Sequence, residues 1–64
     1  MIRVILVDDH ALLRGALAAR INEFDNIKVA DQCNNGKELI QSLQKNPSPD
    51  LILLDLNMQE MNGM

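Results

Sequence analysis

Two short acidic segments contain the residues most able to do chemistry. Asp8 and Asp9, followed by His10, come directly after one run of aliphatic residues, and Asp55, with Asn57 two positions later, comes directly after another. Two carboxylates about 5 Å apart repel by roughly 3 kcal/mol at an effective dielectric constant near 20, so converging carboxylates need a cation. Oxygen ligands supplied by loops suit Mg²⁺, which retains several waters. The pattern therefore predicts a magnesium site if the two segments meet in the fold.

The hydrophobic pattern predicts the elements that bring these segments together. Two continuous aliphatic runs are typical of strands buried on both faces of a parallel sheet, and one alternating run is typical of an edge strand. Two further segments have helical spacing; in the first helix this spacing places Leu13, Leu17, Ile21 and Phe24 on one face. The predicted order is strand Ile2–Val7, helix 11–24, strand Ile27–Cys33, helix 37–45 and strand Leu51–Leu54.

This β-α-β-α-β order predicts an α/β fold with a doubly wound parallel sheet. Each helix returns the chain to the start of the next strand, and such crossovers are right-handed. If the alternating strand is the edge, the strand order is second, first, third, with one helix on each face. The winding then reverses between the first and third strands, which creates a binding crevice beyond their carboxyl ends. We expect Asp8, Asp9 and Asp55 to lie at that crevice.

Composition and charge exclude several classes of function. The 64 residues are 47% hydrophobic and 23% charged, and 6 basic against 9 acidic residues give a net charge of −3. Because no basic run could follow a phosphate backbone, this segment itself is a poor nucleic-acid binder. The first apolar run is too short for a membrane span and is stopped by Asp8. Cys33, the only cysteine, has no disulfide partner, and we expect a cytoplasmic protein.

The residues around the acidic segments resemble a known family. Val4 to Asp9 with His10, then Leu53-Leu54-Asp55-Leu56-Asn57-Met58 and Met61-Asn62-Gly63, are similar to the N-terminal half of a receiver domain of bacterial two-component response regulators. The resemblance covers residues 1–64 as part of a single domain. It implies a flavodoxin-like sheet with strand order 2-1-3, whose strands 4 and 5 lie beyond this segment. Asp8-Asp9-His10-x-x-Leu13-Arg14 further resembles the subfamily joined to a helix-turn-helix DNA-binding domain.

The resemblance also implies a role for each acidic position. Asp55 would be the phosphoacceptor that takes a phosphoryl group from a sensor histidine kinase. Asp9 would ligate Mg²⁺ directly, Asp8 through a bound water, and Asn57 through its backbone carbonyl. The implied function is a phosphorylated signalling module that controls transcription through an output domain, with no turnover activity beyond its own phosphorylation and dephosphorylation.

Two departures from the family pattern affect these expectations. Gln59 stands where the family usually has proline, which should loosen the loop after Asp55 without removing a reacting group. The family's hydroxyl residue, its lysine and the aromatic residue that responds to phosphorylation would all follow Met64. We therefore expect residues 1–64 alone to bind Mg²⁺ weakly and to be phosphorylated slowly or not at all.

Other interpretations of these residues remain open at this point. The chain could be a receiver-like interaction module that dimerises without phosphorylation. An aspartate-nucleophile phosphohydrolase would resemble D-x-D, whereas Asp55 is followed two residues later by Asn57. Asp8 and Asp9 could instead cap the first helix, since carboxylates favour helix N-termini. His10 is expected to face solvent or to cap the helix and is assigned no chemistry.

The third strand predicts a tendency to associate. Its residues, Leu51–Leu54, are all apolar, and a strand with an unpaired apolar edge is a template for pairing with another chain. We therefore expect residues 1–64 alone to form a homodimer or to self-associate, by pairing third strands or by swapping elements, unless further residues of a longer chain cover this edge.

Overall fold

A computed structural model describes residues 1–54 and places strand β1 (Ile2–Val7) at the centre of a three-stranded parallel sheet. β1 pairs with β2 (Ile27–Cys33) on one side and with β3 (Leu51–Leu54) on the other. The predicted strand order β2-β1-β3 is therefore confirmed. The predictions for Asp55, Asn57 and Gln59 lie outside the described residues.

The two helices cover opposite faces of the sheet, as predicted. Side chains alternate along a strand, so β1 presents Val4 and Leu6 to one face and Ile5 and Val7 to the other. Helix α1 (Ala11–Ile21) packs Ala18 and Ile21 against Val4 and Leu6. Helix α2 (Gly36–Lys45) packs Leu39 and Leu43 against Ile5 and Val7. Neither helix in the described part of the chain is long and apolar enough to cross a membrane.

Helix α1 is shorter than its hydrophobic spacing predicted. It ends at Ile21 rather than Phe24, and the N–H groups of Glu23 and Phe24 reach back only three residues, to the carbonyls of Arg20 and Ile21. The Asn22 side chain accepts the N–H of Val29 in β2 at 2.9 Å. This bond ties the end of the helix to the neighbouring strand, and Phe24 lies exposed in the turn that follows. The prediction that Phe24 belongs to the helix is wrong.

Strand β2 contains a bulge that its alternating sequence did not predict. Val29 pairs with Val4, but the next pair is Asp31 with Ile5, so Ala30 is an extra residue. Val29 consequently packs on the α1 face, whereas Ala30 and Cys33 pack on the α2 face. Strict alternation would have placed Val29 and Cys33 on the same face; the bulge separates them because it shifts the register by one residue.

An apolar groove lies between α1 and β3. Leu13 and Leu17, predicted to face the core, are 61% and 44% exposed, whereas Ala18 is 3% exposed. The groove has a volume of about 260 Å³, and Leu53 and Leu54 form its opposite wall. We call this feature the α1–β3 groove; its lining is Leu6, Val7, Asp8, Leu13, Arg14, Leu17, Leu53 and Leu54.

Candidate functional site

The acidic site begins where β1 ends. The Asp8 N–H donates to the carbonyl of Cys33 at 3.0 Å, which extends the pairing of β1 with β2 by one residue. The Asp8 side chain turns back on the chain, and its Oδ1 accepts the N–H of His10 at 2.8 Å. This local turn is a common conformation of aspartate after a strand. Asp8 is only 9% exposed, so its carboxylate is fixed at the rim of the sheet.

Asp9 and His10 complete a compact group with Asp8. His10 Nδ1 lies 3.0 Å from Asp9 Oδ1 and 3.3 Å from Asp8 Oδ1. One ligand atom from each of the three residues lies within 4.8 Å of the other two. The Asp9 side chain is 40% exposed and that of His10 is 65% exposed, so the group opens to solvent. Asp8 and Asp9 lie at the carboxyl end of β1, and the proximity of His10 to both carboxylates was not predicted; the predicted approach of Asp55 to them lies outside the described residues.

The start of α1 does not support the interpretation that Asp8 and Asp9 cap this helix. The N-cap residue of α1 is His10, whose side chain makes no capping hydrogen bond, and the first turn contains no acidic residue. The expectation that His10 faces solvent or caps the helix is met by its exposed side chain.

The end of β3 lies beside the end of β1. Val7 pairs with Leu54, the last described residue of β3. Asp55 follows Leu54 in the sequence, and both Asp55 and Asn57 lie outside the described residues. The carboxylate oxygens of Asp8 and Asp9 are hard donors in a solvent-accessible loop, the type of ligand that suits a hydrated Mg²⁺. The oxygen donors among the described residues therefore fit a magnesium ion, which Asp8 and Asp9 would hold.

Arg14, in the first turns of α1, joins the carboxyl ends of β1 and β2. Its Nη1 donates to the Asp8 carbonyl at 2.7 Å, to the Cys33 carbonyl at 3.2 Å and to Asn34 Oδ1 at 2.7 Å. Its Nε donates to Gln32 Oε1 at 3.2 Å. A planar guanidinium can serve several acceptors in fixed directions, which an ammonium cannot. Sequence reasoning missed this role because two of the acceptors are backbone carbonyls.

The loop between β2 and α2 extends the hydrogen-bond network of Arg14. The backbone and side-chain N–H groups of Asn34 donate to the Glu38 carboxylate, and Asn35 Oδ1 accepts the Glu38 N–H as the cap of α2. The hydrogen bonds from Asn34 hold the pKa of Glu38 below its ordinary value. Arg14, Asn34 and Glu38 thus form a polar chain from α1 to the start of α2.

Comparison with known proteins decides the family. A sequence model described as the response regulator receiver domain matches residues 4–64. The chain belongs to the response regulator receiver domains. This receiver carries its acidic pair and its β2-β1-β3 sheet as the family resemblance implied. No solved structure gives a significant match to the chain.

Curated relatives of this receiver have several different names. A protein-glutamate methylesterase/protein-glutamine glutaminase of Treponema denticola is 43% identical over 98% of the chain and 17% of its own length. The nitrate/nitrite response regulator protein NarL of Escherichia coli is 43% identical over 95% of the chain and 28% of its own length. The transcriptional regulatory protein LiaR of Bacillus subtilis is 42% identical over the whole chain and 30% of its own length. The chain thus spans less than a third of each.

Proposed function

We propose that this receiver accepts a phosphoryl group on Asp55 from a sensor histidine kinase, with Mg²⁺ held at Asp8 and Asp9. The observation that carries the proposal is the convergence of the two carboxylates at the end of the central strand, next to the end of β3. Membership of the response regulator receiver family supports it. Asp55 and the backbone carbonyl of Asn57 are the further ligands that we propose.

The transfer step follows from carboxylate chemistry. A carboxylate oxygen of Asp55 attacks phosphorus, an O–P bond forms and the N–P bond to the kinase histidine breaks. The imidazole nitrogen leaves with the electron pair, and the aspartate becomes an acyl phosphate. When bound, Mg²⁺ supplies charge neutralisation for the transferring phosphoryl oxygens. Asp8 and Asp9 would hold the ion at the end of β1, where hydrogen bonds with His10 and Cys33 keep Asp8 in place.

The test is phosphorylation of the full-length gene product that contains this chain. Wild-type protein, Asp55→Asn and Asp9→Asn are incubated with a phosphorylated histidine kinase or a small phosphodonor, with Mg²⁺ or with EDTA. We expect the mass of one phosphoryl group to be gained by the wild type only with Mg²⁺, to be absent in Asp55→Asn and to be gained more slowly by Asp9→Asn. Equal incorporation in wild type and Asp55→Asn would show that another residue is the acceptor.

We propose transcriptional control as the output of this receiver. The relative LiaR is named as a transcriptional regulatory protein, which supports this output, whereas the methylesterase relatives have a different one. A kinase-dependent change in transcription that is lost in Asp55→Asn would support it. A methylesterase activity of the full-length product would contradict it. A cytoplasmic location belongs to the same proposal, because kinase phosphotransfer and transcription both take place there in bacteria.

Self-association is a separate part of the proposal. Leu51, Leu53 and Leu54 of β3 are 47%, 39% and 51% exposed, and the α1–β3 groove beside them is apolar. We propose that, in residues 1–64 as an isolated segment, this surface pairs with a second copy. Light scattering combined with intact mass tests the idea, since a monodisperse monomer would contradict it. If a dimer forms and beryllofluoride with Mg²⁺ leaves its spectrum unchanged, the alternative of a phosphorylation-independent interaction module is favoured.

A further inference from the structure

We infer that Arg14 is a positioning residue for the acidic loop. Its guanidinium contacts the backbone of the loop: Nη1 donates to the carbonyl of Asp8, the first residue of the loop, at 2.7 Å. The same nitrogen donates to the Cys33 carbonyl, which also accepts the Asp8 N–H. Arg14 therefore contacts the Asp8 carbonyl directly and shares the Cys33 carbonyl with the Asp8 N–H. The inference rests on the proposed Mg²⁺ role of the loop.

The remaining contacts of Arg14 keep its guanidinium in one orientation. Gln32 Oε1 accepts from Nε, and Asn34 Oδ1 accepts from Nη1 at 2.7 Å. Asn34 is itself held by the Glu38 carboxylate through its backbone and side chain. Nη1 has two hydrogens, so its three acceptors share them in a convergent arrangement. Because several hydrogen bonds fix the orientation of the guanidinium, it can in turn orient the backbone of the acidic loop.

Arg14 could affect Mg²⁺ binding through its charge or by positioning the loop, and these two effects have opposite signs. Arg14 is a cation close to a loop that would hold a divalent cation, so removing its charge should tighten Mg²⁺ binding if charge were its only contribution. If Arg14 orients the loop, the same change should weaken binding, because residues that orient metal ligands typically contribute about 10- to 100-fold in affinity. The direction of the change therefore separates the two roles.

The experiment uses the full-length gene product with Arg14→Gln, Arg14→Lys and a control, Arg20→Gln, which makes the same charge change at the exposed far end of α1. Mg²⁺ dissociation constants are measured by titration, and amide hydrogen exchange is measured at Asp8. We expect Arg14→Gln to weaken Mg²⁺ binding about tenfold and Arg14→Lys to weaken it less, because one ammonium reaches fewer of the acceptors. Arg20→Gln should leave the dissociation constant unchanged.

Amide hydrogen exchange at Asp8 tests the positioning role of Arg14 independently of the proposed Mg²⁺ binding. The Asp8 N–H bonds to Cys33, whose carbonyl Arg14 also holds, so Arg14→Gln should speed Asp8 exchange about tenfold or more without Mg²⁺. A wild type that does not bind Mg²⁺ would overturn the metal role only. Unchanged or tighter Mg²⁺ binding in Arg14→Gln, or unchanged Asp8 exchange in Arg14→Gln and Arg14→Lys, would overturn the positioning role.

Discussion

The Ser42 hydroxyl of α2 donates a hydrogen bond of 2.5 Å to the Asp31 carboxylate of β2. Ser42 is 3% exposed, and this partly buried bond joins the helix to the edge strand. Asn46, which caps the end of α2, donates to the Ser42 carbonyl and accepts from the Arg3 side chain of β1. These hydrogen bonds thus connect β2, α2 and β1.

Ser42→Ala should lower the free energy of unfolding by about 1–3 kcal/mol, because it leaves a partly buried carboxylate without one of its donors. Urea denaturation followed by circular dichroism measures the change. Ser48→Ala is the matched control, since Ser48 is exposed in the segment after α2. An equal effect of both substitutions would show that the Asp31 bond contributes nothing specific.

Ile5→Ala should be among the most destabilising aliphatic substitutions in the described part of the chain. Ile5 is 0% exposed at the centre of the sheet, between β2, β3 and α2. Truncation of a buried isoleucine typically costs about 2–5 kcal/mol through lost burial and the cavity left behind. Ile40→Ala, at a position on α2 that is 63% exposed, is the control and should change the unfolding free energy far less. Similar losses at both positions would contradict the burial pattern.

Glu38 should make stability depend on acid pH. Hydrogen bonds from Asn34 lower the pKa of Glu38 in the folded chain below its ordinary value of 4.5. Its contribution to stability is therefore present above pH 4.5 and is lost as the pH falls through the lower folded-state pKa. Glu38→Gln should flatten the fall in melting temperature over that acid range, whereas Glu23→Gln, in the exposed turn after α1, should not. Parallel pH profiles for wild type and Glu38→Gln would contradict this.

Cys33 should react slowly with thiol reagents. Burial raises the pKa of its thiol, and the nearby Asp31 carboxylate raises it further. Because the thiolate is the reactive form, alkylation of the folded chain near neutral pH should be about tenfold or more slower than that of the chain in urea. Mass spectrometry of iodoacetamide-treated protein gives both rates. Equal rates in the folded and unfolded chains would show that the thiol is accessible.

The strand order of the sheet could be predicted from the sequence because the residue types of the central strand indicate that it is buried. Four consecutive aliphatic residues, 4–7, require cover on both faces, and α1 and α2 supply it. The end of α1 was not predictable from spacing, since it depends on the bond between Asn22 and Val29 of β2. In the site, the position of Asp8 and Asp9 at the end of β1 followed from the aliphatic run that precedes them, while Arg14 binds backbone carbonyls that no side-chain pattern reveals.

The extra residue in β2 changes how this strand should respond to shortening. Loss of one residue from a strand normally turns every later side chain to the opposite face. Here Val29 already pairs with Val4 and Asp31 with Ile5, while Ala30 has no pairing partner in the ladder. Deleting Ala30 would therefore leave Asp31, Gln32 and Cys33 opposite their present neighbours. Within the described sheet, Ala30 marks a position where evolution could shorten a strand and still preserve both of its faces.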